Sequence, residues 1–129
     1  MFRKLSIASL LMAAVLVTSC SKDKKEDNND QPGHKVRFEA VGQNGGVVNA
    51  AVYGVDADTH NALNLNATTW SSPDVTAPAG AYNANIVVNG SGPSTTSTMK
   101  VRIYVDDVMK KEETAAPGKV LSVTLGYKF

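Results

Sequence analysis

The sequence holds one cysteine, few aromatic residues and no excess of either charge. A single thiol rules out an intrachain disulfide and any zinc site built on two or more thiolates. Acids and bases nearly cancel, at 12 and 13, and only 6% of residues are aromatic. A nucleic-acid binder would carry a basic stripe with interleaved aromatics, so no nucleic-acid partner is expected. The continuous apolar run, from Leu5 to Thr18, falls short of the roughly 20 residues that a spanning helix needs. What remains, at 129 residues and 43% hydrophobic, is a chain of single-domain size.

The lone cysteine sits where that apolar run gives way to charge. Met1-Phe2-Arg3-Lys4 is a short basic start, and together with the run it reads as a secretory signal over residues 1–19. Val17-Thr18-Ser19-Cys20 then resembles the bacterial lipobox, in which an aliphatic residue and two small ones precede a cysteine that is diacylated and becomes the new N-terminus. Lipidation needs one reactive thiol, small residues where a peptidase must approach, and no competing cysteine. Two or three acyl chains at about 0.8 kcal/mol per buried CH₂ would anchor the protein without a membrane helix. The alternative is an ordinary cleaved signal with an incidental cysteine at its end. Lipidation at Cys20 is the reading preferred, with the membrane as the partner reached through that lipid.

Residues 20–34 are expected to form a linker. Ser21 to Gly33 reads SKDKKEDNNDQPG, with no apolar side chain large enough to enter a core, and such a composition does not offset the entropy of ordering. Its lysines and acids alternate, which suits a spacer better than a polybasic lipid-binding patch. A charged stretch after the lipidated cysteine also resembles the export tag of surface lipoproteins in Bacteroidota. The expected location is therefore the cell envelope, at the outer membrane, on its periplasmic or surface face.

Over residues 35–129 the apolar period becomes two. Val36, Phe38 and Ala40 alternate with Lys35, Arg37 and Glu39; Tyr82, Ala84, Ile86 and Val88 alternate with asparagines; Met99, Val101, Ile103 and Val105 alternate with polar residues. Leu121, Val123, Leu125, Tyr127 and Phe129 share one face of a closing strand. Val47 to Val55 and Leu63 to Trp70 alternate less cleanly. Val108 to Thr114 suits a polar edge strand whose lysines and glutamates discourage further pairing. Asp106-Asp107 suits a tight hairpin that needs positive φ, and Gly42 to Gly46, Asp56 to Ala62, Ala77 to Gly80 and Gly90 to Pro93 supply the other connections. About seven short strands in about 95 residues is the arithmetic of an all-β, immunoglobulin-like antiparallel β-sandwich.

Short motifs along this region, Val36-Arg37-Phe38-Glu39-Ala40-Val41-Gly42, Ala51-Val52-Tyr53, Thr69-Trp70-Ser71, Val101 to Asp107 and Val123-Thr124-Leu125, resemble the landmarks of the MmpS family. The family pattern runs roughly V-x-Y-E-V-x-G, V-x-Y, P-W-S, C-x-I-x-V-D-G and V-x-C. Thr69 replaces the proline, Asp107 the turn glycine and Val101 the first of two cysteines, and a lipidated cysteine would replace the family's N-terminal membrane helix. The resemblance implies a small membrane-tethered β-sandwich with an accessory role in the envelope. Family members are known as partners of lipid-exporting transporters.

Chemistry is thin. There is no Gly-x-Ser-x-Gly, and His34 and His60 are expected in the linker and a loop, so no enzyme, cofactor or metal site is expected. Asp56-Ala57-Asp58-Thr59-His60 could face a cation, but an EF-hand loop would want glycine and glutamate where Asn61 and Ala67 stand; local hydrogen bonding by the aspartates is the preferred reading. Trp70 is expected as a core anchor, with an exposed sugar platform flanked by Asn64, Asn66 and Ser71 as the ligand-binding alternative. Phe129 resembles the closing residue of an outer-membrane barrel, yet about 95 residues are too few for eight strands of about 9 to 11. It is expected as the last inward residue of the sandwich. The chain thus reads as a noncatalytic accessory or binding module with a possible envelope protein partner; a surface carbohydrate- or ligand-binding lipoprotein is the alternative.

Overall fold

The computed structural model describes residues 33–129. The expected signal (1–19), the expected acyl site Cys20 and all but the last two residues of the expected linker (20–34) lie outside the described residues. Among the described residues nine strands form two sheets. The first sheet has the order β4 (Thr69–Ser71), β1 (His34–Gln43), β7 (Thr98–Val105), β8 (Val108–Thr114), with β5 (Val75–Ala77) also pairing β1. The second has the order β3 (Asp58–Ala62), β2 (Val47–Val55), β6 (Asn83–Ser91), β9 (Val120–Lys128). Every pairing is antiparallel, so the expected all-β sandwich is what forms.

Its register follows from the alternation. In the first sheet Val36, Phe38 and Ala40 of β1 stand opposite Val105, Ile103 and Val101 of β7, all on the inner face. In the second, Tyr53 faces Ile86 and Ile86 faces Leu125 across three strands. A one-residue slip in either sheet would turn these side chains to water, at about 1.5 to 3 kcal/mol for each large one. Phe38, with no exposed surface, is the largest fully buried side chain; Phe38→Ala would cost about 3 to 5 kcal/mol.

The turns use the chemistry their positions demand. Asp106 and Asp107 have φ of 51° and 67°, the double left-handed geometry of a type I′ hairpin. Gly54 of β2 lies so close to its neighbour β3 that a Cβ there would collide with the Asp58 carbonyl oxygen. β8 is exposed along its whole length, as a polar edge strand should be.

Several expectations need correction. Leu63 to Thr68 is not strand: Asn64 and Asn66 take φ of 55° and 45°, which breaks the extended run, and Ala67 makes only an isolated bridge to Val48. Asp58 to Ala62, expected as a connection, is β3. It is an edge strand whose Thr59 and Asn61 face water, so it carries no apolar alternation. β5, three residues between Pro73 and Pro78, was too short to show a period. Between β4 and β5 the ladder on β1 is carried by Ser72, whose backbone N–H donates to Phe38 O at 2.8 Å and whose Oγ accepts the Phe38 N–H at 2.9 Å. Tyr82 and Phe129 do not point inward. Tyr82 precedes β6 and is 61% exposed, while Phe129 lies beyond the end of β9 and stacks on His34 instead.

Candidate functional site

Trp70 sits on β4 opposite Ala40, at the rim of the core. Its ring lies 5.3 Å from that of Tyr53 at 58°; Tyr53 in turn lies 5.3 Å from Phe38 and 5.5 Å from His60, with the imidazole stacked. The tryptophan therefore closes one side of the sandwich, half-buried on an aromatic cluster drawn from both sheets. Asn64 and Asn66, expected beside it, line a different hollow of about 530 Å³ with Asn49, Ala50 and Leu63. That hollow is uncharged and asparagine-rich, and Trp70 is not part of its wall.

The aspartates of the β2–β3 turn serve local structure. Asp56 accepts the backbone N–H groups of Tyr82 and Asn83 at 3.0 to 3.2 Å, tying the turn to the start of β6. Asp58 Oδ2 lies 3.2 Å from His60 Nε2. Among the described residues no group of three or more His, Cys, Asp or Glu is arranged to hold a metal ion.

The outward face of the first sheet carries a charge network that its sequence did not announce. Arg102 donates from Nε to Glu112 at 2.6 Å and from Nη1 to Glu39 at 2.9 Å, and Tyr104 Oη donates to the same Glu39 oxygen at 3.2 Å. The hydrogen bond to Glu112, then that to Glu39, raises the Arg102 pKa above its ordinary value, and Arg102 holds the Glu112 carboxyl below its own. Arg37 lies over the Tyr104 ring at 4.3 Å and reaches Asp107 at 3.5 Å. At the hairpin, Asp106 accepts the Lys35 backbone N–H at 3.0 Å and lies 2.7 Å from His34 Nδ1. The backbone bond first, then the imidazole, lowers the Asp106 pKa; a hydrogen bond from Lys35 to Asp107 at 3.0 Å raises that of the lysine. Alternation alone puts Glu39 and Arg102 outward, but only register makes them neighbours.

These features describe a small antiparallel β-sandwich whose histidines and most of whose carboxylates are engaged in holding strands and turns together. Residues 7–125 match the family described as Mycobacterium membrane protein, and the chain belongs to that family. This is the MmpS family, whose motifs the sequence resembles. No curated protein matches the chain. No helix among the described residues is long and apolar enough to cross a membrane.

Proposed function

We propose that this protein is a lipid-anchored, noncatalytic accessory module of the bacterial cell envelope, held at the outer membrane through Cys20 and assisting membrane transport beside an envelope protein partner. The observation that carries this reading is the coincidence of Val17-Thr18-Ser19-Cys20 with membership of a membrane-protein family whose match begins within the apolar run. The lipid would do the work of the family's membrane helix. The engagement of His34, His60, Glu39, Asp106 and Glu112 in structural contacts supports a noncatalytic role.

Intact mass and detergent partitioning of the native protein beside Cys20→Ala test it. The wild type should begin at Cys20 with acyl mass added and enter the detergent phase, and the variant should lose both. Equal solubility of the two would leave a secreted protein with an incidental cysteine. The uncharged hollow at Asn49, Asn64 and Asn66 favours one second reading, a surface carbohydrate binder. That reading expects glycan-induced shifts in those asparagine amides and not in Trp70.

A further inference from the structure

A second hollow, of about 480 Å³, opens beside the end of β9 and is lined by Asn83, Asn85, Lys111, Gly126, Tyr127 and Lys128. Its two cations come from different sheets. The pairing of β7 with β8 slips between Ile103 and Tyr104, so Lys110 is an extra residue and Lys111 falls opposite inward-facing Ile103. A bulge re-aims the side chains that follow it. Lys111, exposed on β8, lines the hollow together with Lys128. Gly126 lets the Asn85 side chain lie close over the backbone: a Cβ there would meet Asn85 Oδ1 at 2.8 Å.

Lys35, Arg37 and Arg102 all have carboxylate partners, whereas among the described residues neither Lys111 nor Lys128 has one, and no acidic side chain lines the hollow. Lys100, Lys110 and Lys119 likewise have no carboxylate within salt-bridge distance among the described residues, but this hollow brings two such lysines, Lys111 and Lys128, into one lining. Lys128 Nζ instead lies 5.4 Å from the Tyr82 ring. Asn85 donates to Asn83 Oδ1 at 3.0 Å, which leaves the Asn83 amide nitrogen to donate elsewhere. The carboxylates at this end are taken up: Asp106 by His34 and Lys35, Asp107 by Lys35 and Arg37, Asp56 by two backbone amides. Two unneutralised ammonium groups beside amide donors suit an oxyanion with several acceptor oxygens, and lysine binds phosphate as a point charge.

Position supplies the source of that phosphate. The described chain enters the sandwich at His34, whose ring stacks on Phe129 at 5.5 Å and 5°, one residue past Lys128. Tyr82, Val108 and Phe129, three of the exposed large apolar side chains, lie at this same end. An anchor at Cys20 would stand 13 residues ahead of Gly33, a span of at most about 45 Å for that many residues.

We propose that this hollow binds the phosphate of anionic lipid headgroups in the bilayer to which the protein is tethered, so that the tether-side end of the sandwich rests on the membrane. This rests on the anchored reading above, but its test reads the hollow directly. Full-length protein in neutral detergent is titrated with glycerophosphoglycerol, the soluble headgroup of phosphatidylglycerol, and with glycerol, while the amide resonances of Asn83, Asn85 and Gly126 are followed. Saturable shifts are expected with the phosphodiester alone, weakened about fivefold in Lys111→Gln and in Lys128→Gln. Lys119→Gln, at the opposite end of β9, should bind as the wild type does. Equal shifts with glycerol, no saturation, or an equal loss in the Lys119 variant would overturn the assignment.

A second arm compares wild type in nanodiscs of zwitterionic lipid with and without phosphatidylglycerol. Broadening of the same resonances only with the anionic lipid is expected. Solution binding without that broadening would assign a soluble phosphodiester and overturn the bilayer source. Loss of acyl mass with binding intact would sink the anchor and not the hollow.

Discussion

The two outward faces of the sandwich are built from the same strand geometry and opposite chemistry. Across the first sheet, Glu39, Arg102 and Glu112 stand in register on β1, β7 and β8, and their ion pairs bridge all three strands. Across the second, the corresponding rows read Gly54, Asn85, Gly126 and Val52, Val87, Thr124, with no charge in either. One face is held by long side chains reaching across strands; the other is held by backbone approach and leaves its amides near the surface. Much of the charge on the first face is consumed internally, whereas Lys111 and Lys128, at the boundary of the two sheets, line one hollow without a carboxylate.

The largest test of this contrast is on the neutral face. Gly54→Ala forces a Cβ against the Asp58 carbonyl, and the β2–β3 hairpin should give way at a cost of about 1 to 3 kcal/mol in urea unfolding. An unchanged midpoint would mean that close approach is not what that face depends on. On the charged face Arg102→Met should cost about 1 kcal/mol, since Arg102 and Glu112 are both partly exposed. A double-mutant cycle with Glu112→Gln should show coupling, and its absence would reduce the ladder to a surface coincidence.

Acid provides a third test, acting on the carboxylates of the first sheet and its hairpin. The Asp106 and Glu112 carboxyls are depressed in the folded state, so the stability they contribute is full above their unfolded values of about 4 and is lost as pH falls through the lower folded ones. The wild type should weaken progressively below about pH 4, and Glu112→Gln should flatten part of that slope. Smallest of all is Val87→Thr, on the exposed middle of the neutral face, which should stay within about 0.5 kcal/mol of the wild type.

Much of this architecture is legible in the sequence. Strict alternation in β1, β6, β7 and β9 marks half-buried strands because one face must meet a core and the other water. Asp106-Asp107 marks a hairpin because aspartate tolerates left-handed φ. β3 escaped notice for a physical reason: an edge strand that turns Thr59 and Asn61 to solvent buries too little to show a period. Leu63 to Trp70 misled because its composition suits a strand while Asn64 and Asn66 turn the backbone left-handed. Phe129 misled because its aromatic ring found a partner in His34 at the chain's entry point instead of in the core.

The candidate sites divide the same way. Cys20 and its small predecessors are a local signal, read residue by residue, as is the polar composition of Ser21 to Gly33. Alternation alone points to an all-β chain. Tertiary structure decided that Trp70 rests on Tyr53 while Asn64 and Asn66 line a different hollow, that Arg102 lies between two glutamates, and that Lys111 meets Lys128. Those outcomes depend on register, on one bulge and on which edge of each sheet faces the other. Such long-range pairings are selected by the packing of the whole core, and no local window of the chain contains them.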